Sequence, residues 1–220
     1  MNDFKNFIRL IWGLLICSVG IYLEVQANVG LAPWDVFTMG LALHTGIAFG
    51  NAVLWVSVGV VVLDLVIREK LGVGTILNAV LIGLFIDLLD TLAPVPAMHA
   101  LLPGVGVLLL GQLLMCIGTC YYMRSGWGCG PRDALMVAIS RNFPKIPIGL
   151  ARFAVEATVL VLGWLMGGPV GVGTALSMFG VSFLMQATFA VMRFDAKSVK
   201  HEDVLETFRR FRAQYGCRPI

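Results

Sequence analysis

Charge is what this sequence has least of: Asp, Glu, Lys and Arg make up only 13% of its 220 residues. A soluble domain carries about 25%, so this chain cannot keep a water-facing surface over most of its length. Histidine is nearly missing too, with three scattered copies, His44, His99 and His201. The five cysteines (Cys17, Cys116, Cys120, Cys129 and Cys217) are an odd number, most sit in apolar runs, and no Cys/His spacing matches a zinc site. They read as buried or free thiols acting as small hydrophobes, and neither a metal nor a cofactor is expected. No Ser/His or Asp/Asp pair stands at catalytic spacing, and there is no His-Glu-x-x-His and no nucleophile elbow. The chain is therefore not expected to be an enzyme. The net charge of +3 is modest, and no nucleic-acid partner is expected.

Apolar residues fill the space that charge leaves, at 58% of the chain, with a mean hydropathy of +0.87. This is the composition of a polytopic membrane protein with the lipid bilayer as its solvent. A span needs about 20 apolar residues. The candidates are Ile8–Gln26, Gly50–Ile67, Val73–Leu92, Leu101–Tyr122, Ile148–Met166 and Val172–Met192. The first run follows Lys5 and Arg9 but is long and lacks a small-residue cleavage site, so it reads as a retained span. Two further apolar segments, Pro33–Leu43 and Pro131–Ser140, cover only about 15 Å each at 1.5 Å per residue, half a bilayer core.

Each short segment opens on a hexapeptide that occurs twice: Gly30-Leu31-Ala32-Pro33-Trp34-Asp35, then Gly128-Cys129-Gly130-Pro131-Arg132-Asp133. Pro33 and Pro131 suit the first position of a helix, where the missing N–H would be unpaired anyway. Asp35 and Asp133 then fall in the first turn, at the positive end of the helix dipole. A second motif keeps the same order, Gly72-Val73-Gly74-Thr75 and Gly171-Val172-Gly173-Thr174. Lesser matches, Gly20 with Gly118 and Gly50 with Gly149, hold the offset at 98 residues early and 99 later. The chain is therefore read as two related halves, 1–97 and 98–193, followed by a tail over 194–220. The Gly-Val-Gly-Thr copies lack the Lys and the preceding strand of a phosphate loop; close helix packing or a tight turn is the better account.

The placement of cations orients the halves. With six crossings and a cytoplasmic N-terminus, the loops 27–49, 93–100 and 167–171 are external and contain no Lys or Arg. The cytoplasmic side then holds Lys5, Arg9, Arg68, Lys70, Arg124, Arg132, Arg141 and Lys145, plus seven cations between Arg193 and Arg218. Eight crossings would put Arg68 and Lys70 outside. Three crossings per half invert the second half relative to the first, the architecture of many secondary transporters. The expected fold is all-α, six transmembrane helices in a 3+3 inverted repeat, each half carrying a short broken or re-entrant helix after its first span. The alternative for the two short segments is that they lie flat at the interface. The expected location is the bacterial cytoplasmic membrane, with both termini inside.

Ionisable groups within spans are expensive and so mark candidate sites. Glu156 lies deep in its span with Arg152 four residues before it, on the same helical face. The pair reads either as an internal ion pair that lets both residues insert, or as a charged site lining a pathway. Val53 and Ser57 hold the matching places in the first half. Asp35 and Asp133 read as helix caps or as a site that favours a cation or proton. Arg132, where the first copy has Trp34, could bind an anion or anchor the segment at the headgroups. Asp87 in the third span matches Gln186, and an Asp87/Gln186 polar pair is one reading. Asp90 and Glu24 lie toward external ends. Asn78, Gln112 and Ser177 read as interhelical hydrogen-bond partners, and Asp64 with Arg68 as a local i,i+4 ion pair. Glycine-rich faces, Gly13 with Gly20 and Gly104 with Gly111, permit close contacts within one chain or between copies, which admits a homo-oligomer.

The tail repeats Val204, Leu205, Phe208 and Phe211 at helical spacing, with Arg209, Arg210 and Arg212 mostly on other faces. Over Lys200–Gly216 this suits an amphipathic helix on anionic inner-leaflet lipids, or a docking helix for a partner. At the two duplicated motifs the sequence resembles the YczE/YitT group of bacterial integral membrane proteins, most of all its YczE-like branch, over roughly residues 8–192. The resemblance implies a six-pass inner-membrane protein and supplies neither substrate nor catalytic residues. The leading expectation is a transporter or channel for a small-molecule substrate with a midplane site lined by Asp35, Asp133, Arg132, Arg152 and Glu156. The alternative is an accessory protein that stabilises or positions a partner through its tail.

Overall fold

A computed structural model describes residues 2–69, 71–142, 148–194 and 204. Among these residues eight helices follow in order: α1 (Asn2–Ala27), α2 (Pro33–Thr45), α3 (Phe49–Val66), α4 (Val73–Leu92), α5 (Leu101–Met123), α6 (Pro131–Asn142), α7 (Ile148–Leu165) and α8 (Val172–Val191). No strand occurs among the described residues. Among the described residues, five helices (α1, α3, α4, α5 and α8) are long and apolar enough to cross a membrane. The remaining expected span, α7, has 18 residues and carries Arg152 and Glu156. Large apolar side chains such as Trp12, Trp55, Leu102, Trp164 and Phe183 cover the outside. That is the reverse of a soluble protein and fits a lipid-facing surface. The chain is a multi-pass integral membrane protein. Apart from Val204, the amphipathic tail expected over Lys200–Gly216 lies outside the described residues, as do Lys145 and Cys217.

The two short helices start where their prolines predicted, Pro33 opening α2 and Pro131 opening α6. Neither is uniformly exposed along one side, as a helix lying on a surface would be. Pro33, Asp35, Val36, Thr38, Gly40 and Ala42 are buried in α2, while Leu43, His44 and Thr45 at its far end are exposed. In α6, Pro131, Ala134, Leu135, Met136 and Ala138 are buried and Arg141 and Asn142 are exposed. Each short helix therefore buries its N-terminal end. Its wall is a long helix distant in sequence: α2 packs on α7, and α6 packs on α3.

The core of the packing is the α1–α5 crossing. A Cβ added at Gly13 would meet the Gly118 carbonyl oxygen at 2.8 Å, and one at Gly20 would meet that of Gly111 at 2.6 Å. Rising numbers in α1 thus face falling numbers in α5, so the two helices run antiparallel with their backbones in contact. Only glycine allows such an approach, which lets carbonyls and Cα groups of both helices touch. Gly104 is similarly closed, against Ala27 and Val29. The glycine faces are consumed within the chain.

The Gly-Val-Gly-Thr motifs complete the frame. Gly74 N–H donates to the Trp127 carbonyl at 2.6 Å, and Gly173 N–H donates to the Val29 carbonyl at 2.8 Å. Each motif opens its own helix, with the Thr75 and Thr174 hydroxyls accepting the Gly72 and Gly171 N–H groups. Each also grips the residue just before the opposite hexapeptide glycine. Gly30 (φ +103°) and Gly128 (φ +126°) make the turns in the left-handed region, where a side chain would be strained. The tight-turn and close-packing account of these motifs holds, and no phosphate loop is formed.

One ion pair differs from expectation. The helix α3 ends at Val66 and Arg68 adopts φ +60°, so the i,i+4 geometry that would join it to Asp64 does not exist. Asp64 is fully buried with no hydrogen-bond partner among the described residues, and Arg141 from α6 pairs with Glu69 at 2.9 Å instead.

Replacing Gly20 with Leu forces the α1–α5 backbones apart, a change expected to cost about 1–3 kcal/mol or more. At Gly106 an added Cβ would meet nothing within 4 Å, so this position should accept Leu freely. Thermal unfolding in detergent separates the two; equal melting of both variants would show that the crossing does not carry the fold.

Candidate functional site

The buried N-terminal ends of α2 and α6 meet. Between them lies a cavity of about 170 Å³, room for several waters at roughly 10–15 Å³ each. Its wall includes both hexapeptides from residues 32–35 and 130–133, together with Arg152 and Glu156 from α7. Five of the seven residues singled out from the sequence (Asp35, Arg132, Asp133, Arg152 and Glu156) thus line one space. Met115, Met136, Met178 and Met185 supply much of the apolar lining, and their unbranched side chains adapt to irregular shapes.

The charges in this space are arranged in pairs. Arg132 donates from Nη2 to Asp35 Oδ1 at 3.2 Å, and its guanidinium lies 5.1 Å from the Trp34 ring centroid. A planar cation can satisfy a carboxylate at its edge and an aromatic at its face at once. Arg132 therefore bridges α6 and α2. Asp35 is buried, its side chain only 2% exposed. Among the described residues its side-chain hydrogen-bond partner is Arg132. Asp133 accepts a hydrogen bond from the Tyr122 hydroxyl at 3.2 Å, and the same Tyr122 oxygen accepts the Gly130 N–H at 3.3 Å. Arg152 Nε donates to Glu156 Oε1 at 2.9 Å, so the local ion pair exists and also lines the cavity. Val53 and Ser57 face it from α3.

Two candidates lie elsewhere. Asp87 accepts backbone N–H groups of Gly50 and Asn51 in the first turn of α3, which gives it a capping role. Gln186 is exposed on α8. The structure does not bring Asp87 and Gln186 together, because the α3 N-terminus offers Asp87 two unpaired donors nearer at hand. Gln112 does bridge helices, donating from Nε2 to Ser177 Oγ at 2.5 Å. Cys129, in the turn before α6, is a half-buried free thiol whose backbone carbonyl accepts the Thr75 hydroxyl at 2.7 Å. No cluster of three or more metal-ligating side chains occurs among the described residues.

Sequence reasoning gave Glu24 no role beyond its place near an external helix end. It is fully buried, and neither carboxylate oxygen has a hydrogen-bond partner among the described residues. The signal available in the sequence was its register: Tyr122, the residue that holds Asp133, lies 98 residues after Glu24.

The model of a family of unknown function, DUF6198, matches residues 4–190. The chain belongs to the DUF6198 family. It is 33% identical to an uncharacterized protein of Haemophilus influenzae over 84% of this chain and 83% of that one. It is 34% identical to the Bacillus subtilis protein YczE, described as an uncharacterized membrane protein, over 75% of this chain and 76% of that one. A second B. subtilis protein, YyaS, is 30% identical over 76% and 83% respectively. No solved structure matches. The YczE-like resemblance stated over roughly residues 8–192 is thereby met, and the DUF6198 match covers nearly the same stretch.

Truncating the cation bridge tests this geometry. Arg132→Gln leaves the Asp35 carboxylate buried without its partner. Removal of one partner from a fully buried pair costs about 3–5 kcal/mol. With the Arg132 side chain 30% exposed, the expected loss is on the order of 1–3 kcal/mol. Adding Asp35→Asn to Arg132→Gln should recover part of it in thermal unfolding. Additive losses would mean that the two residues do not interact.

Proposed function

We propose that this protein is a small-molecule transporter or channel of the bacterial cytoplasmic membrane, built as a 3+3 inverted repeat. Its site is the cavity between the starts of α2 and α6. The single observation that carries the reading is the meeting of two half-length helix starts and two ion pairs in one methionine-lined space inside a membrane protein. Intramembrane ionisable groups facing a shared cavity are the usual mark of a solute pathway, and broken helices ending near the midplane are the usual scaffold. The sixth span is α7, which brings Arg152 and Glu156 to the site as a pair, lowering the cost of carrying both. The antiparallel run of α1 and α5, whose motifs match at an offset of 98 residues, supports the inversion. The burial of the α2 and α6 N-termini against α7 and α3 supports re-entry over a flat interfacial placement. No covalent chemistry is assigned; the residues bind and orient a solute.

Sidedness is tested by single cysteines at Leu43→Cys and Asn142→Cys in a background without native cysteines. Both positions are exposed at the far ends of the short helices. In intact cells an impermeant maleimide should label Leu43→Cys and spare Asn142→Cys until the inner face is opened. Labelling of both from one side would remove the inversion.

Flux is tested by uptake of labelled amino acids, organic acids and amines into proteoliposomes containing the full chain. Wild-type uptake of one class should saturate. Glu156→Gln and Asp133→Asn should each reduce it roughly tenfold, the effect of losing one charge-assisted contact. Unchanged uptake in both variants takes these residues out of the pathway, and no uptake of any class favours the accessory role.

A further inference from the structure

We propose that Glu24 and Asp35 form a carboxyl pair that binds one exchangeable proton just behind the cavity wall. This deepens the transport reading by naming the coupling ion, and rests on that reading only for its consequence for flux.

Three observations carry it. Glu24 is fully buried and both its carboxylate oxygens lack a hydrogen-bond partner among the described residues. A charge left unpaired in such a place is costly, whereas a carboxylic acid needs only one acceptor. The second observation is its surroundings. Among the described residues, the charged groups acting on Glu24 are Asp35 from α2 and Arg132 from α6; α5 presents the Cys116 thiol, and α4, packed on α1, carries Asp87, held by the first turn of α3, and Asp90. One cation thus serves two carboxylates, and Arg132 is already engaged with Asp35 at 3.2 Å.

The third observation is positional. Residue 122 lies 98 residues after residue 24, and residue 133 lies 98 after residue 35. Tyr122 there donates its hydroxyl proton to Asp133 Oδ2. A protonated Glu24 supplies the same kind of O–H donor to Asp35. The chemical difference is that a free phenol holds its proton to about pH 10, while a free glutamic acid releases its own near about 4.3. The donor of the first half is therefore the one that can exchange. A metal cation in the same place would need a shell of several oxygens, and no group of three metal-ligating side chains is present among the described residues.

With the proton bound, Glu24 is neutral and Arg132 meets the charge of Asp35. When the proton leaves, by way of Asp35 to the cavity that Asp35 lines, two carboxylates face one guanidinium. Arg132 then divides between them and loosens from Trp34. Proton binding at this pair is thereby linked to the position of the one cation that joins α2 to α6.

Infrared difference spectra of the full chain in liposomes, recorded between mildly acidic and alkaline pH, read the proton directly. The wild type should show a carboxylic-acid C=O band that bleaches as pH rises, and Glu24→Gln should lose it. Asp35→Asn should keep the band and lower its midpoint by about one pH unit or more, because a neighbouring anion no longer holds the proton. Arg132→Gln should raise the midpoint, and Tyr122→Phe should leave it in place. An unchanged band in Glu24→Gln, no titrating band in the wild type, or bleaching by sodium at constant pH overturns the proposal. If Glu24→Gln does not fold, the opposite shifts in Asp35→Asn and Arg132→Gln decide. Flux is not read, so a titrating band with no uptake sinks transport and leaves the proton site standing.

Discussion

The structure depends on keeping two helix starts away from both water and lipid. A half-length helix that begins inside a membrane protein exposes N–H groups and a positive dipole end where neither solvent can answer them. Here each start is fixed by backbone contacts from a part of the chain remote in sequence. Gly74 binds the carbonyl of Trp127, just ahead of the α6 turn, and Gly173 binds that of Val29, just ahead of the α2 turn. The exchange is reciprocal, so neither α1–α4 nor α5–α8 can place its own short helix alone. Glycine is required at both hands of the grip: at positions 74 and 173 the backbone comes too close for a Cβ, and at 30 and 128 the chain turns through the left-handed region.

Given that frame, the charged residues are placed by their burial costs. Asp35 sits at a positive helix end and takes a guanidinium, while Asp133 takes a phenol. The two sites begin from the same hexapeptide and end with different partners because the residue before the Asp is Trp34 in one copy and Arg132 in the other. These two side chains stack on each other. The point where the copies differ most is therefore the point where they touch, and the resulting cation bridge joins α2 and α6 directly.

Most of the helical framework was legible in the sequence. Apolar runs bounded by Gly and Pro placed α4 at Val73–Leu92 and the other long helices within a few residues of their observed ends, the polar first turns of α1 apart, because helix length in a membrane is set by composition. Asp35, Arg132, Asp133, Arg152 and Glu156 were readable as a group because ionisable residues in such runs are few. What was not legible were pairings set by helix ends. Arg68 was expected to answer Asp64, yet α3 stops at Val66 and the periodic geometry fails before it reaches Arg68. An Asp87/Gln186 pair was one reading of the matched positions, but the first turn of α3 offers Asp87 unpaired N–H groups, and no sequence rule says which helix N-terminus a distant Asp will reach. Glu24 was visible as a charge, but its complete burial with neither carboxylate oxygen paired among the described residues was not, since that depends on which helices close around the end of α1.

On the inverted-repeat reading, the internal symmetry also defines what a perfectly duplicated protein could not do. Two identical halves, related by an axis in the membrane plane, would make the inward- and outward-facing arrangements equal in energy, with no preference for a loaded state. Two of the charge-bearing departures from identity fall together: Trp34 against Arg132, and Val53 with Ser57 against Arg152 with Glu156, all line one cavity. The glycine contacts that build the frame keep their symmetry, Gly13 with Gly118 and Gly20 with Gly111. Symmetry is retained where backbones must fit and broken where a charged solute or a proton would be held. A frame that treats both membrane faces alike, carrying a site that does not, is the physical requirement for a small solute to be bound differently from the two sides.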